Sequence, residues 1–337
     1  MVIFSGMKLL SLLALPLLSL SVAAVYPTRL VYQDPTGLFI ENLAVRASGQ
    51  LLITSPISPT LHSLDPTRTN ASLAAVHTFP NCSGLMGIIE YQPDAFALVT
   101  ATIDLTTRRA AAGSVTVWSI AFSPIFSIPL VRRVAVVSNS SILDGLSIVP
   151  GSPHLVLAAD PGAGTVWQIN MATGATHLAI QDPSMAPGAP APALGINGLH
   201  MKDGFLYYSN SQATTFTRMP LGLSASGNMG RAGKTAAQLL STVEPAGEDH
   251  QYDDFAFDKQ GRAWVATHTG AVTLITQQGD GSFAAQMVAG SLVNASLFEE
   301  PSSAQFGRGS AKQEALLYVS TAAGQIIAVD TSAPNSK

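Results

Sequence analysis

The sequence predicts an all-β, single-domain six-bladed β-propeller, and three observations carry that expectation. Helical periodicity is nearly absent; short runs rich in Val, Ile, Leu, Thr and aromatic residues alternate with Gly, Pro, Asp and Asn. One unit recurs six times at roughly 50-residue intervals, the spacing of propeller blades. The composition, 47% hydrophobic and 11% charged over 337 residues, suits a large core rather than a disordered chain.

Each unit opens with a polar residue, Met86 in the second unit excepted, then a small or apolar one, runs into an alternating strand, turns, and returns in a second strand. The units begin at Glu41, Met86, Asp144, Asn197, Asp253 and Ser303. Their second strands include Gln50-Leu-Leu-Ile, Phe96-Ala-Leu-Val, Leu155-Val-Leu-Ala, Leu206-Tyr-Tyr, Ala263-Trp-Val and Leu316-Leu-Tyr-Val. Third strands such as Thr165-Val-Trp-Gln-Ile and Gln325-Ile-Ile-Ala-Val follow. Thr28 to Tyr32 precedes the first unit and is expected to close the ring against the last blade. A two-sheet sandwich is the alternative, but it has no need of six similar units. Gln181 to Leu194 and Leu221 to Thr235, rich in Gly, Ala, Pro or Ser, read as irregular surface loops.

Residues 1–24 have the three-part form of a secretory signal. Lys8 is the basic part, Leu9 to Leu20 the apolar part, and Val22 and Ala24 the small residues before cleavage at Val25. The apolar run is short for a bilayer span of about 20 residues; an uncleaved anchor is the competing reading. The domain division is therefore 1–24 signal peptide and 25–337 propeller. Four sequons, at Asn70, Asn81, Asn139 and Asn294, agree with a glycosylated, secreted or lumenal protein. Cys82 is the single cysteine, so no intramolecular disulfide forms, and it reads as a shielded structural thiol. A net charge of −4 leaves no basic stripe for nucleic acid. A soluble monomer acting on a small molecule, with no membrane partner after cleavage, is the expected state.

In a blade hairpin the start of the first strand and the end of the second share one rim of the disc. That rule gathers Glu41, Asp144, Asn197 and Asp253 from strand starts, and Thr54, Asp160, Asn210 and His268 from strand ends. Asp144 and Asn210 are also ordinary turn formers, and turn formation is the reading preferred for them. Glu41, Asn197 and Asp253 together offer the oxygen donors a hard divalent cation such as Ca²⁺ takes. His250 and His268 flank the Asp253 hairpin and are acid/base candidates, although a lone His is usually a hydrogen-bonded bystander.

At these residues the chain resembles the senescence-marker-protein/gluconolactonase superfamily of six-bladed propellers. The likeness is specific at Glu41, at Asn197-Gly-Leu with Leu206-Tyr-Tyr-Ser-Asn, and at Asp253 with Phe257-Asp-Lys-Gln-Gly-Arg-Ala-Trp-Val-Ala. The resemblance implies that Glu41, Asn197 and Asp253 ligate a divalent cation and that Asp253 helps activate water against a lactone. The sequence departs from the pattern at Leu143, where the family places a substrate-contacting Asn, and at Asp254, where it places Gly. Phe39-Ile-Glu-Asn-Leu-Ala-Val-Arg and Gly195-Ile-Asn-Gly-Leu look similar to a secreted fungal branch of that superfamily. That branch includes hetero-Diels–Alderases of tropolone-sesquiterpenoid biosynthesis, which join a quinone methide to a terpene alkene.

Three functions follow. A hetero-Diels–Alderase-type cyclase would hold a lipophilic substrate in near-attack geometry, with Asn197, Asp253 and His268 as catalytic candidates. A metal-dependent lactonase would use the cation to polarise a carbonyl and activate water. The third is a non-catalytic binding propeller. Leu143 in place of a polar contact favours the lipophilic ligand; retention of Glu41, Asn197 and Asp253 favours the hydrolase. The cyclase is the reading taken forward.

Overall fold

The computed structural model describes residues 25–332 except 124, 126–127, 190–191, 234, 245–249 and 293–296. The signal segment and the Asn294 sequon lie outside the described residues.

Six antiparallel sheets, each of four or five strands in meander order, form the six blades. Their innermost strands are Leu43–Val45, Gly84–Gln92, Leu146–Val149, Ile196–Lys202, Tyr252–Phe257 and Pro301–Phe306. Each begins within two residues of the start expected from the repeat. Thr28–Gln33 is the outermost strand of the last blade and pairs antiparallel with Gln325–Asp330, with Thr28 opposite Val329. The ring is therefore closed by hydrogen bonds between the two ends of the propeller, as the sequence predicts. Among the described residues no helix is long and apolar enough to cross a membrane.

Second strands read as unbroken apolar runs because both of their faces are covered. Ala95–Ala101 is buried along its whole length. Its alternate side chains enter different clusters. Phe96 and Leu98 pack with Leu52, Leu61 and Leu85 toward blade 1. Ala97 and Val99 pack with Leu146, Val156 and Ala158 toward blade 3. The two-residue period of a strand thus joins each blade to both neighbours. Burial of each large aliphatic side chain contributes about 1.5–3 kcal/mol.

Around the axis, glycine permits the inner strands to approach. A Cβ on Gly87 would lie 2.0 Å from Asp144 O, and one on Gly145 2.4 Å from Asn197 O. On the other side of the ring polar side chains link blades 1, 5 and 6. Asn42 Nδ2 and Ser303 Oγ each donate to Asp254 Oδ2 at 3.2 Å. Asp254 stands where the superfamily pattern places Gly, and this is its structural use.

One loop expectation is corrected and the other refined. Leu221 to Thr235 is not irregular: Leu221–Leu223 pairs with Met229–Arg231 as a hairpin extension of blade 4. Its Gly and Ser serve the turn, Gly227 at φ +80°. Gln181 to Leu194 contains a 3₁₀ turn, Pro183–Met185, capped by Asp182, and buries Met185 in the core between blades 3 and 4. Cys82 is half-buried against the Phe79–Leu85 cluster, with Sγ 3.6 Å from Phe79 O. Burial pushes its thiol pKa up, as a structural role requires. The three described sequon residues, Asn70, Asn81 and Asn139, are exposed.

Candidate functional site

The strand starts deliver Glu41, Asp144, Asn197 and Asp253 to one cavity of about 520 Å³ at the channel mouth, and His268 joins them from a strand end. These include the expected catalytic residues Asn197, Asp253 and His268 and the expected metal ligands Glu41, Asn197 and Asp253. Each is placed by a blade repeat, so side chains up to 227 residues apart in sequence, Glu41 and His268, share one site.

Asp160, Asn210 and Thr54 serve the fold. Asp160 accepts hydrogen bonds from Ser141 N and Ala163 N. Asn210 donates to Ser184 O and Ala186 O and accepts from Ala213 N. Thr54 is tied to Asn42 within its own hairpin. His250 is absent from the described lining of the cavity. Asp144 corrects the turn-former reading given to it above: it lines the cavity, is buried, and its carboxylate has no hydrogen-bond partner among the described residues.

Leu143 is corrected too. It is fully buried in the core between blades 2 and 3 and does not line the cavity. Its neighbour Ile142 does. In extended chain, residues two apart share a face. Ile142 therefore accompanies Asp144, just as Phe39 accompanies Glu41 and Gln251 accompanies Asp253. Alternation about the polar strand starts is the signal that would have found these wall residues. Met86, Ile103, Leu105 and Leu194 extend the apolar wall. The site sets the strand-start acids, Asn197 and His268 against an apolar wall, with Arg108, Gln251 and Glu300 also in the lining.

Electrostatics follow from crowding acids in a buried place. Burial, then repulsion from Asp144, Asp253 and Asp254, pushes the Glu41 carboxyl well above the usual carboxylate range. Burial, then Asp253 and Asp254, does the same for Asp144. Asp253 is raised by burial, against the opposing pull of His268. His268 Nε2 lies 3.1 Å from Asp253 Oδ2. Burial depresses the imidazole, but the Asp253 carboxylate outweighs it and holds the His268 pKa above its ordinary value. The pair keeps a proton to higher pH than an isolated imidazole.

The donor set fits a hard cation. Asn197 Nδ2 donates to Ser211 Oγ at 3.0 Å, which leaves its amide oxygen for another partner. Glu41 lacks a hydrogen-bond donor among the described residues, and it is buried beside other acids. No group of three His, Cys, Asp or Glu side chains among the described residues is arranged to hold a metal. A cation here would take Asn197 with Glu41 and Asp253, two carboxylates and an amide, and complete its shell with water.

No protein-family model matches the chain. It is 26% identical over 332 residues to a protein of Phoma sp provisionally named a hetero-Diels-Alderase, covering 91% of this chain and 89% of that one. It is 23% identical over 322 residues to a Sarocladium schorii protein with the same provisional name, covering 87% and 77%. Among solved structures, it superposes on a calcium-binding regucalcin from Agrobacterium tumefaciens with a TM-score of 0.58 at 15% identity, covering 94% and 98% of the chains. A protein provisionally named a gluconolactonase gives 0.57 at 14% identity, covering 93% and 96%. The chain thus shares its fold with these two solved propellers and is similar in sequence, over most of its length, to two proteins provisionally named hetero-Diels-Alderases.

Proposed function

We propose that the protein is a hetero-Diels–Alderase-type cyclase that joins a quinone methide to a terpene alkene in the mouth cavity. The observation that carries this reading is the cavity's construction, an apolar wall of Phe39, Met86, Ile103, Leu105, Ile142 and Leu194 beside buried acids and His268. Its volume, about 520 Å³, suits a ligand of the usual small-molecule size. In the reaction the oxadiene supplies four π electrons and the alkene two. One C–C and one C–O bond form, one π bond relocates within the former diene, and no atom leaves.

The apolar wall would hold diene and alkene face to face, and such positioning can supply roughly 7–11 kcal/mol of a barrier. The polar groups would act on the oxygen end. A carboxyl kept protonated by burial can donate a hydrogen bond to a carbonyl oxygen, and Glu41 and Asp144 have raised pKa values. His268, protonated beside Asp253, is a second donor, and Asn197 orients its amide through Ser211. A hydrogen bond to the quinone-methide oxygen lowers the energy of the diene's acceptor orbital as the C–O bond forms. One well-placed donor is worth about 3 kcal/mol.

Lactone hydrolysis is the second reading, favoured by the Asp253–His268 contact beside Glu41 and Asn197. A cation bound there would polarise a carbonyl and lower the pKa of water. Asp253 would then accept the proton of the attacking water, and His268 would hold Asp253 in place.

Incubation with a quinone methide generated in situ and a cyclic terpene such as humulene, in ¹⁸O-labelled water, separates the two. The cyclase gives one stereoisomer of the adduct in excess over the uncatalysed mixture and takes up no label. A racemic adduct at the uncatalysed rate would sink the cyclase, and label in a ring-opened acid from a lactone substrate would establish the hydrolase.

A further inference from the structure

Blade 2 carries a small hairpin that forms a sheet of its own, which no other blade has among the described residues. Ile103–Asp104 pairs with Arg109–Ala110 as a separate two-stranded sheet. It leaves where Ala95–Ala101 ends and returns where Thr116–Ala121 begins, so it stands on the mouth rim. It is anchored in three places. Ile103 N donates to Ser83 Oγ at 2.8 Å, Ala110 N to Ser141 O at 2.8 Å, and Arg109 Nη2 to Gly162 O at 3.2 Å.

Three residues of this hairpin line the cavity: Ile103, Leu105 and Arg108. Leu105 is 52% exposed, a large apolar side chain presented to the opening. Arg109 is occupied by backbone carbonyls. The Arg108 guanidinium, by contrast, makes no ion pair or hydrogen bond among the described residues. It is also the sole Lys or Arg of the described lining, facing a wall that holds Glu41, Asp144, Asp253 and Glu300. An arginine on a solvated loop usually has no assigned task. This one shares an anchored wall with two apolar side chains, and that combination matches a ligand with an apolar body and one negative oxygen.

We infer that Arg108 is a specificity residue that binds an oxyanion of the substrate, an enolate, phenolate or carboxylate, while Ile103 and Leu105 hold its apolar body. The substrate class is then a lipophilic acid. This deepens the cyclase reading in that it assigns the charge of the substrate for the same cavity, and its test needs no turnover. Arginine suits the task because its planar donors engage an oxyanion in a bidentate manner.

The probes are 1-anilinonaphthalene-8-sulfonate and its neutral analogue N-phenyl-1-naphthylamine, titrated by fluorescence. Arg108 has φ +52°, so Arg108→Asn removes the charge with a residue that tolerates that backbone. Arg108→Lys keeps the charge. The expected result is at least tenfold weaker sulfonate binding in Arg108→Asn, partial recovery in Arg108→Lys, and neutral-probe affinity within twofold throughout. Ile142→Glu should weaken both probes if they sit in the mouth. An equal loss for both probes in Arg108→Asn, an unchanged sulfonate affinity, or no sulfonate binding to the wild type overturns the inference. If the cycloaddition assay fails while the sulfonate selectivity holds, the cyclase reading falls and the assignment of Arg108 stands.

Discussion

His268 Nε2 meets Asp253 Oδ2 at 3.1 Å, joining the end of the second strand of blade 5 to the start of its first. Apart from this contact, no side chain donates a hydrogen bond to the Asp253 carboxylate among the described residues, and Asp253 is buried beside other acids. His268→Ala leaves that carboxylate without its side-chain donor, a loss of about 1–3 kcal/mol. In the Asp253→Asn background the same change should cost less, because the buried charge is already gone. Urea denaturation of the four proteins in this cycle measures the difference; additive losses would mean that the two residues are not coupled.

The acids of the mouth set a pH dependence whose sign is determined. Glu41 and Asp144 have folded pKa values above their unfolded ones, so the folded state holds their protons to higher pH. Their contribution to stability is complete below the ordinary carboxylate range, about pH 4, and is lost as pH rises through the folded values. His268, also raised, acts in the same direction above about pH 6.5. Asp34, Asp65, Asp104, Asp280 and Asp330, all lowered, act oppositely only as pH falls into the acid range. The single opposing group within the interval among the described residues is His62, lowered by burial, whose contribution is lost as pH falls below about 6.5. Between about pH 5 and 8, with chelator present, the thermal midpoint should therefore fall with rising pH. Glu41→Gln and Asp144→Asn should each flatten the slope. A midpoint that climbs across this interval would show that the acids are not held protonated by their burial.

The blade count, the ring closure and the polar groups of the cavity were legible in the sequence because each follows from a repeat. Once six units align, a polar residue at each strand start has to fall on one rim. Leu143 and Ile142 show where this reasoning stopped. A motif position was read as a contact, whereas Leu143 is wholly enclosed in the core and its neighbour Ile142, buried in the same cluster, is the one that reaches the cavity. Arg108 was invisible for a different reason. Its hairpin is an insertion outside the repeat, and its strands of two residues each are too short to leave a periodic trace. Asp254 was noticed as a departure, but its hydrogen bonds to Asn42 and Ser303 depend on packing around the axis, which no local pattern encodes.

That division between Leu143 and Ile142 is itself testable. Leu143→Ala opens a cavity in a packed core and should cost about 2–5 kcal/mol of stability. It should leave affinity for a lipophilic probe within twofold. Ile142→Ala should also cost stability, since Ile142 is buried in the same cluster, but it should in addition weaken a lipophilic ligand by roughly tenfold or more, because this side chain also lines the cavity. Denaturation and N-phenyl-1-naphthylamine titration on the same two variants provide both readouts. If Leu143→Ala impairs binding while stability is kept, the residue faces the cavity after all.

The last expectation concerns a cation at Glu41, Asn197 and Asp253. With two carboxylates and an oriented amide as donors, Ca²⁺ should bind more tightly as pH rises, since the ion competes with the protons that burial retains on Glu41 and Asp253. At 100 times its dissociation constant the ion stabilises the fold by about 2.7 kcal/mol, and it should therefore offset the loss of midpoint seen with chelator at high pH. Asn197→Ala removes the amide ligand without altering the charge, so it should abolish the shift while leaving the slope measured in chelator in place. Glu41→Gln should reduce both. Thermal unfolding with and without Ca²⁺ at pH 5 and 8, together with elemental analysis of the dialysed protein, decides the matter. A midpoint indifferent to Ca²⁺ at pH 8 would leave Glu41 and Asp253 as proton carriers and remove the lactonase reading's source of activated water.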